Sequence, residues 1–319
     1  MTLTFRVLTY PGQVDCSNEY ECDGAHPAER RSGSLSSSNR PAIALLASYN
    51  EERYVETCLR HLVEQEVDFY LIDNESTDRT VEIARTFEGR GLRGIEQFPR
   101  PGGVYPWLKI LKRKEELAGE LEGRWFMHQD MDELRYSDQA EQTLGGAFAE
   151  IEDLGYNAVN FLEFTFVPTR EEPDHDHKDF AKTMRSYYPF TRGFPFQVKA
   201  WKKQPGRVGL AEPSGGHRVG FEGRLIYPRP LVMLHYPYLS IEHFEHKYLP
   251  RRYDAEELKR SWHGWRANLA PEKISLPSEG DLSTAASVGE LSLARPRLTH
   301  IASEWTRSKQ AVEKEASEV

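Results

Sequence analysis

Apolar strands alternate with amphipathic helices between residues 42 and 128, and this order constrains the fold more than any other feature. The run Ala42–Ser48 is continuously apolar, as expected for a strand that is covered on both faces. A helix with apolar positions from Tyr54 to Val63 follows it, and then a second short strand at residues 69–72. Such alternation implies right-handed crossovers. We therefore predict an α/β fold with a Rossmann-like, mostly parallel central sheet flanked by helices.

The rest of the chain is less regular. A Ser-rich stretch at residues 30–40 predicts a flexible N-terminal arm over residues 1–40, and Ser, Glu and Pro enrichment predicts a mobile tail over 270–319. Between them the patterns predict strands near 93–97, 125–128, 158–167, 196–201, 218–221 and 231–235, and helices near 105–117, 138–153, 241–248 and 255–265.

Composition excludes several classes of protein. The 319 residues contain 50 acidic and 41 basic side chains, a net charge of −9 that argues against a dedicated nucleic-acid binder. The three cysteines match no zinc pattern and suit a reducing compartment. No apolar run approaches the roughly 18–20 residues of a spanning helix, and a signal peptide is not evident. We expect a cytoplasmic protein, for which peripheral contact with a membrane remains open.

The strand at residues 125–128 ends in two aspartates, Asp130 and Asp132, with Glu133 behind them. Open α/β sheets bind ligands at the carboxyl ends of their strands. Carboxylates at that edge can hold a hard divalent ion, which in turn holds phosphates. The Asp-x-Asp triplet alone is common, so it indicates a metal site only together with other motifs in the chain.

Three motifs together resemble those of the family 2 glycosyltransferases with a GT-A fold. They are Ala47-Ser-Tyr-Asn-Glu-Glu52, Asp73-Asn-Glu-Ser-Thr-Asp-Arg-Thr80 and Asp130-Met-Asp-Glu133, and the last is similar to the bacterial branch with an Asp-x-Asp-Glu motif. Leu234-His-Tyr236, followed by Ser240, Phe244 and Lys247, resembles a His-Tyr segment late in such chains. The resemblance implies a nucleotide-sugar-binding half at 41–136 and a smaller, mixed acceptor-binding half with C-terminal helices at 137–269.

The resemblance also implies roles for individual residues. Mn²⁺ or Mg²⁺ on Asp130 and Asp132 would bridge the two phosphates of a nucleotide-diphosphate sugar and act as a Lewis acid on the leaving group. Asp132 therefore counts among the catalytic candidates. Glu52 would contact the edge of the base, and Asp73 would contact the ribose or the base. The other residues expected to bind the donor are Ala47, Ser48, Asn50, Asp130 and Lys247.

A histidine from the second half often completes metal sites of this type. His235, at the end of an apolar strand, is the first candidate for a metal ligand. His217 is its rival, because the preceding glycines permit a close backbone approach to a ligand. The alternation of His175 and His177 with aspartates is more typical of a solvated loop.

The resemblance implies inversion, in which a carboxylate deprotonates an unidentified acceptor hydroxyl as it attacks the sugar. Glu212 and Glu163 are the leading candidates for this base, with Asp174 and Asp176 behind them. The Glu-Asp pair of many family 2 enzymes is missing.

Two other functions remain open from the sequence. A nucleotidyltransferase would share the sheet and the acidic pair, but residues 49–52 stand where a Gly-rich basic loop is usual. A non-catalytic module that binds nucleotide sugars or glycans would not need the Asp-x-Asp triplet.

Overall fold

The computed structural model describes residues 40–211, 214–260 and 262–307. The predicted N-terminal arm, apart from Arg40, lies outside the described residues. So do Glu212, one of the two leading candidates for the base, and the last twelve residues of the predicted tail.

The first half of the chain forms a block of parallel strands. β1 (Ala42–Ser48) pairs with β2 (Val67–Asp73) on one side and with β5 (Trp125–Gln129) on the other, and β2 pairs with β3 (Leu92–Gln97), all in parallel. Ser48 stands opposite Asp73, and Leu46 stands opposite Gln129, so these strands end at one edge of the sheet. The elements are β1 Ala42–Ser48, α1 Glu52–Glu64, β2 Val67–Asp73, α2 Thr80–Arg85, β3 Leu92–Gln97, β4 Val104–Tyr105, α3 Trp107–Glu120 and β5 Trp125–Gln129.

The second half extends the same sheet with mixed pairing. β9 (Val198–Lys202) pairs antiparallel with both β5 and β7 (Ala158–Phe166). β10 (Leu231–His235) lies between β6 (Glu133–Tyr136), with which it is antiparallel, and β7, with which it is parallel. The resulting ten-stranded sheet confirms the predicted α/β class: four strands form the parallel block, and the other six form the mixed region, which is therefore not the smaller part of the sheet. The elements are β6 Glu133–Tyr136, α4 Leu144–Asp153, β7 Ala158–Phe166, α5 Phe180–Thr183, β8 Ser186–Phe190, β9 Val198–Lys202, β10 Leu231–His235, α6 Ile241–Tyr248, β11 Arg252–Tyr253, α7 Ala255–Lys259 and β12 Ser283–Thr284.

Two buried clusters sandwich the sheet. One contains Tyr54 and Leu59 of α1 and extends to Phe148 of α4, whose ring stacks on Trp125 at 5.1 Å. The other packs Leu111 of α3 against Ile43 and Trp201. Helices on both faces explain why β1 carries no polar side chain before its carboxyl end. In β2 the buried Asp68 is an exception, and it is paired with Arg40 and Arg93.

Some elements differ from the sequence prediction. Residues 218–221 form only isolated bridges, between Val198 and Arg218 and between Gly209 and Gly220, and β8 was not predicted. Helix α4 begins at Leu144 rather than near 138, because the Thr143 hydroxyl accepts a hydrogen bond from the Gly146 N–H and caps the helix.

The segment expected to be a mobile tail is packed against the core over its described part. Ile301 and Trp305 are buried beside Phe244 of α6, and the Trp305 ring lies 4.8 Å from the Phe244 ring, edge to face. The composition predicted mobility because this segment is polar on average. A few large apolar side chains nevertheless anchor it to the core. Among the described residues, no helix is both long and apolar enough to cross a membrane.

Candidate active site

The loops after β1 and β2 are tied together by the two motifs that follow those strands. Asn50 has a left-handed backbone, with φ 55°, and its Oδ1 accepts a hydrogen bond from the Thr77 N–H at 2.8 Å. The Asn50 N–H donates to the Ser76 hydroxyl at 3.0 Å, and the Glu51 N–H donates to the Thr80 hydroxyl at 2.8 Å. The motifs therefore build a rigid rim at the edge where the parallel strands end.

Asp73 is buried inside this rim. The Ser48 hydroxyl donates to Asp73 Oδ1 at 3.1 Å, and the Ser76 N–H donates to Oδ2 at 3.1 Å. A carboxylate has about four acceptor positions, so Asp73 can still accept a hydrogen bond from a ligand. Glu52 is engaged as well, because its Oε2 accepts the Arg79 N–H at 3.2 Å. The predicted nucleotide-binding residues thus also hold the two loops in place.

Glu133 shapes the turn that carries the two aspartates. Its carboxylate accepts the Asp130 N–H at 3.3 Å and lies 2.6 Å from the ammonium of Lys199, a strand residue of β9. The Asp130 side chain is 37% exposed, with Lys199 Nζ 3.6 Å from Oδ2. Burial of the site opposes ionisation of Asp130, but Lys199 and His128 hold its pKa below the usual range. No described residue donates a hydrogen bond to this carboxylate.

Asp132 is the more enclosed of the pair, with a side chain 12% exposed. Lys247 of α6 donates to its Oδ2 at 2.9 Å, and His235 Nε2 lies 3.8 Å from the same oxygen. Burial alone would raise the pKa of Asp132, but Lys247 and His235 outweigh it and hold the pKa well below its usual range. The structure therefore brings together three residues that the sequence placed in the site.

Lys247 also joins Asp132 to the first motif. Its ammonium lies 3.5 Å from Glu51 Oε2 and 4.6 Å from the centroid of the Tyr54 ring. Arg251 lies 3.2 Å from the other Glu51 oxygen. Burial raises the pKa of Glu51, partly offset by these two cations. Two cations, one on α6 and one just beyond it, are thus paired with carboxylates at this edge of the sheet.

His235 is oriented by a buried carboxylate. Its Nδ1 lies 2.6 Å from Oε1 of Glu163, which also accepts the Thr165 hydroxyl at 2.9 Å. Burial lowers the pKa of His235, but Glu163 and Asp132 raise it well above its usual value, so the ring is an imidazolium here. Because Glu163 keeps the proton on Nδ1, Nε2 is the nitrogen free to bind a cation when the ring is neutral.

His217 lies on the far side of the same network. Its Nδ1 is 3.4 Å from Gln197 Oε1, and Gln197 donates to Glu163 at 2.7 Å. His300 approaches Glu163 from the C-terminal segment, with Nε2 at 4.0 Å. Among the described residues, His235 contacts Asp132 and His217 contacts neither aspartate, so the geometry favours His235 as the ligand.

The donor set fits a divalent ion in part. Asp132 Oδ2 and His235 Nε2 face each other at 3.8 Å, and Asp130 presents an exposed carboxylate without a hydrogen-bond donor. Yet within the described residues no three His, Cys, Asp or Glu side chains are already clustered as metal ligands. Lys247 neutralises Asp132 in this arrangement. An ion would have to displace it from the carboxylate.

The candidate bases lie in different settings. Glu163 is 2% exposed, and it is engaged by His235, Thr165 and Gln197, which suits positioning better than proton abstraction. Burial opposes ionisation, but His235 keeps its pKa below the usual range. Asp176 forms an ion pair with Arg53 at 2.8 Å. No base is assigned by these contacts, and Glu163 stays a candidate.

Sequence reasoning missed several residues of the site. Glu51 and Lys199 are engaged in its ion pairs, and Lys114 and His128 lie behind Asp130. Two of them carried a signal, because Lys199 interrupts an apolar strand and Lys114 falls on the apolar face of α3. A buried lysine in an apolar pattern indicates a nearby carboxylate or a functional site.

Part of the chain is similar to a known protein family. Residues 44–101 match the family model described as Glycosyl transferase family 2. This segment contains the rim motifs but ends before the two aspartates. No curated protein matches the chain.

Two solved structures show a distant likeness. TarS 1-349 from S. aureus in complex with UDP is 16% identical, covers 74% of this chain and 75% of its own, and has a TM-score of 0.41. Glucosyl-3-phosphoglycerate synthase from Mycobacterium tuberculosis in complex with Mn²⁺, UDP and phosphoglyceric acid is 19% identical, with coverages of 40% and 44% and a TM-score of 0.25. Over residues 44–101 the chain thus matches the family that its motifs resemble, and the α/β architecture described above agrees with that resemblance.

Proposed function

We propose that the chain transfers a sugar from a nucleotide-diphosphate donor to an acceptor hydroxyl, with inversion, in a reaction that depends on Mn²⁺ or Mg²⁺. The observation that carries this proposal is the convergence of His235 Nε2 and Lys247 Nζ on one oxygen of Asp132, at 3.8 and 2.9 Å. This group of side chains lies beyond the carboxyl ends of β1 and β5, where α/β sheets bind nucleotides.

Asp130, Asp132 and His235 would hold the divalent ion. When bound, the ion supplies Lewis-acid stabilisation of the departing diphosphate. The protein contributes Lys247 and Arg251, which lie on the same side and can neutralise phosphate oxygens once Asp132 and Glu51 are otherwise satisfied. Glu163 keeps the Nδ1 proton of His235 and so fixes the orientation of its ring.

The rim binds the nucleoside in this proposal. Asp73 keeps acceptor capacity towards a ribose hydroxyl or a base N–H, and Ser48 and Ser76 hold it in position. Tyr49 adds an aromatic surface at the same edge, where the Arg100 guanidinium lies 3.6 Å from its ring centroid. The acceptor would enter from the side of β7 and β10. Glu212 and Glu163 remain candidates for its base.

The experiment compares Asp130→Asn and Asp132→Asn with Asp153→Asn, an exposed residue at the end of α4 with no role in the site. Purified variants are mixed with UDP-, GDP- and dTDP-sugars and Mn²⁺, and release of nucleoside diphosphate is measured. We expect the two site variants to lose at least about 100-fold in rate, since each removes a charge from the leaving-group site. Asp153→Asn should be unaffected.

Excess chelator should abolish turnover and Mn²⁺ should restore it. Full activity in chelator, or in both site variants, would refute metal dependence. Release of a sugar 1-phosphate instead of a nucleoside diphosphate would indicate nucleotidyl transfer. Metal-dependent binding without any turnover would indicate a binding module. The anomeric configuration of the product, read by NMR, decides between inversion and retention.

A further inference from the structure

Three cations lie around the ring of Tyr248, the last residue of α6. Lys247 Nζ is 5.6 Å from the ring centroid, and the guanidinium carbons of Arg251 and Arg266 are each 5.7 Å from it. The first two cations are paired with carboxylates at the edge of the sheet. Arg266 differs from them, because its guanidinium makes no hydrogen bond and no ion pair with any described residue.

The guanidinium of Arg266 has hydrogen-bonding capacity that the protein does not use. An arginine side chain stays charged and carries five N–H donors, and this one is only partly exposed. Its guanidinium carbon lies 4.6 Å from the centroid of the Trp265 ring, but contact with an aromatic face leaves the in-plane N–H donors unpaired. Carboxylates and phosphates accept two parallel hydrogen bonds from such a group, so Arg266 is suited to bind an anionic ligand.

The position of Arg266 relates it to the acceptor side of the site. Arg266 lies in the turn Gly264–Ala267, which packs against the turn Ile301–Trp305 directly after His300. Burial lowers the pKa of His217 to about 4 and that of His300 to about 3, and the charge of Arg266 contributes to both shifts. Both histidines lie near β7, on the side from which the acceptor would enter.

Four aromatic rings form a wall on that side. The His217 ring stacks on Phe196 at 4.9 Å, and the Phe190 ring stacks on His300 at 3.9 Å. Phe190 and Phe196 meet edge to face at 5.9 Å, so the four rings are continuous. His217 is exposed, and Arg192 lies against the same wall with its guanidinium carbon 5.8 Å from the centroid of the Phe196 ring. A ligand at this wall would meet ring faces and arginines.

The other two cations around Tyr248 serve the nucleotide side. Lys247 and Arg251 both pair with Glu51 in the loop after β1, and Arg266 forms no ion pair with that carboxylate. Against the effect of burial, two tyrosines and Asp132 raise the pKa of Arg266, so its guanidinium is also close to the aspartates. An anion bound to Arg266 would therefore lie near the departing diphosphate without occupying the nucleoside rim.

We propose that the acceptor carries a phosphate or a carboxylate, and that Arg266 binds this anionic group beside the aromatic wall of His217 and Phe196. The inference rests on the proposed function and names the class of acceptor for it. A neutral acceptor would leave the N–H donors of Arg266 unpaired, whereas an anionic acceptor would pair them, so Arg266 is a specificity residue. The diphosphate of the donor offers the same chemistry, and the experiment distinguishes the two sources.

The experiment uses small anions as probes of the acceptor side. The full chain is first saturated with Mn²⁺ and with whichever of UDP, GDP and dTDP binds best, so that the donor site is filled. Inorganic phosphate, glycerol 3-phosphate and glycerate are then titrated by calorimetry at constant ionic strength, and glycerol is the neutral control. We expect the wild type to bind the phosphates or glycerate and not to bind glycerol.

Variants of Arg266 show whether this residue carries the binding. Arg266→Gln should weaken binding of the anion at least about 10-fold, because it removes a charged hydrogen-bond donor. Arg266→Lys keeps the charge but not the planar fork, so it should retain part of the affinity. The control Arg85→Gln, exposed at the end of α2, should match the wild type. Melting temperatures are compared because Arg266→Gln also loses the contact with Trp265.

The affinity for the nucleoside diphosphate separates the acceptor from the donor. It should be unchanged in Arg266→Gln. An equal loss of affinity for the nucleoside diphosphate and for the anion would assign Arg266 to the donor and overturn the proposal. Unchanged anion affinity in Arg266→Gln, or no binding of any of the three anions by the wild type, would overturn it as well. If no nucleoside diphosphate bound, the proposed function would fail, while titration of the anions into the free chain would still show whether Arg266 binds them.

Discussion

Replacing Lys247 with methionine should destabilise the protein and at the same time make its stability depend on Mn²⁺. The ammonium lies 2.9 Å from Asp132 and 3.5 Å from Glu51, and its side chain is 7% exposed. At an effective dielectric constant of about 20, those distances correspond to gross attractions of about 6 and about 5 kcal/mol. Burial of the ammonium offsets several kcal/mol of this.

Removing one partner of a buried ion pair costs about 3–5 kcal/mol, because the remaining charge is left uncompensated. We take the lower end, about 3 kcal/mol, for two structural reasons. Arg251 still compensates Glu51 at 3.2 Å, and His235 still lies 3.8 Å from Asp132. Methionine keeps most of the apolar stem that packs on Tyr54, so loss of packing contributes little.

A divalent ion can replace the lost charge at Asp132. At a free Mn²⁺ concentration about 100 times the dissociation constant, binding adds about 2.7 kcal/mol of stability. Urea unfolding of Lys247→Met should therefore show a loss of about 3 kcal/mol in chelator, and Mn²⁺ should restore most of it. Mn²⁺ should stabilise the wild type less, because it must displace Lys247 first. Asp153→Asn serves as the control.

Two results would refute this reasoning. Equal stability of Lys247→Met and the wild type in chelator would mean that the ion pairs contribute no net free energy. Equal stabilisation of both proteins by Mn²⁺ would mean that the ion and Lys247 do not compete for Asp132.

Three further changes have defined outcomes. Glu163→Gln should weaken Mn²⁺ binding about 10- to 100-fold in calorimetry, because His235 loses the carboxylate that keeps its Nδ1 proton; unchanged affinity would contradict that role. Trp305→Ala should cost about 3–5 kcal/mol in urea unfolding, whereas Leu298→Ala, which is exposed, should cost almost nothing; equal values would mean that the C-terminal segment is not anchored. Burial lowers the pKa of His61 to about 4, despite its hydrogen bond to the Arg135 carbonyl, against about 6.5 in the unfolded chain. Stability present above pH 6.5 should thus fall by about 3 kcal/mol towards pH 4, and a His61→Gln variant should lack that part of the slope.

The parallel half of the fold could be predicted from the sequence because its signals are local. Apolar strands and helical periodicity in residues 42–128 are properties of neighbouring residues, and β1 ends at its first polar residue, Ser48. β10 and α6 were predicted with their observed bounds, Leu231–His235 and Ile241–Tyr248. β8 was missed because Ser186–Phe190 carries a proline and little alternation.

The candidate site could be predicted only in part, because most of its contacts join distant residues. Asp130, Asp132 and His235 were found from motifs and strand ends. Lys247 lies 115 residues from Asp132, and Arg251 lies 200 residues from Glu51, so no local pattern pairs them. The buried Lys114 and Lys199 had a weak signal in their apolar surroundings, but their partners follow from the packing of α3 and β9 against β5.

The sequence by itself determined which side chains stand at the carboxyl ends of the strands, since register and periodicity decide where a strand stops. Only the tertiary structure decided what those side chains do. Glu163 meets His235 because β7 and β10 are neighbours, and Lys114 meets His128 because α3 covers β5. Charge pairing and histidine tautomers depend on distances across elements, and those distances are set when the whole sheet packs.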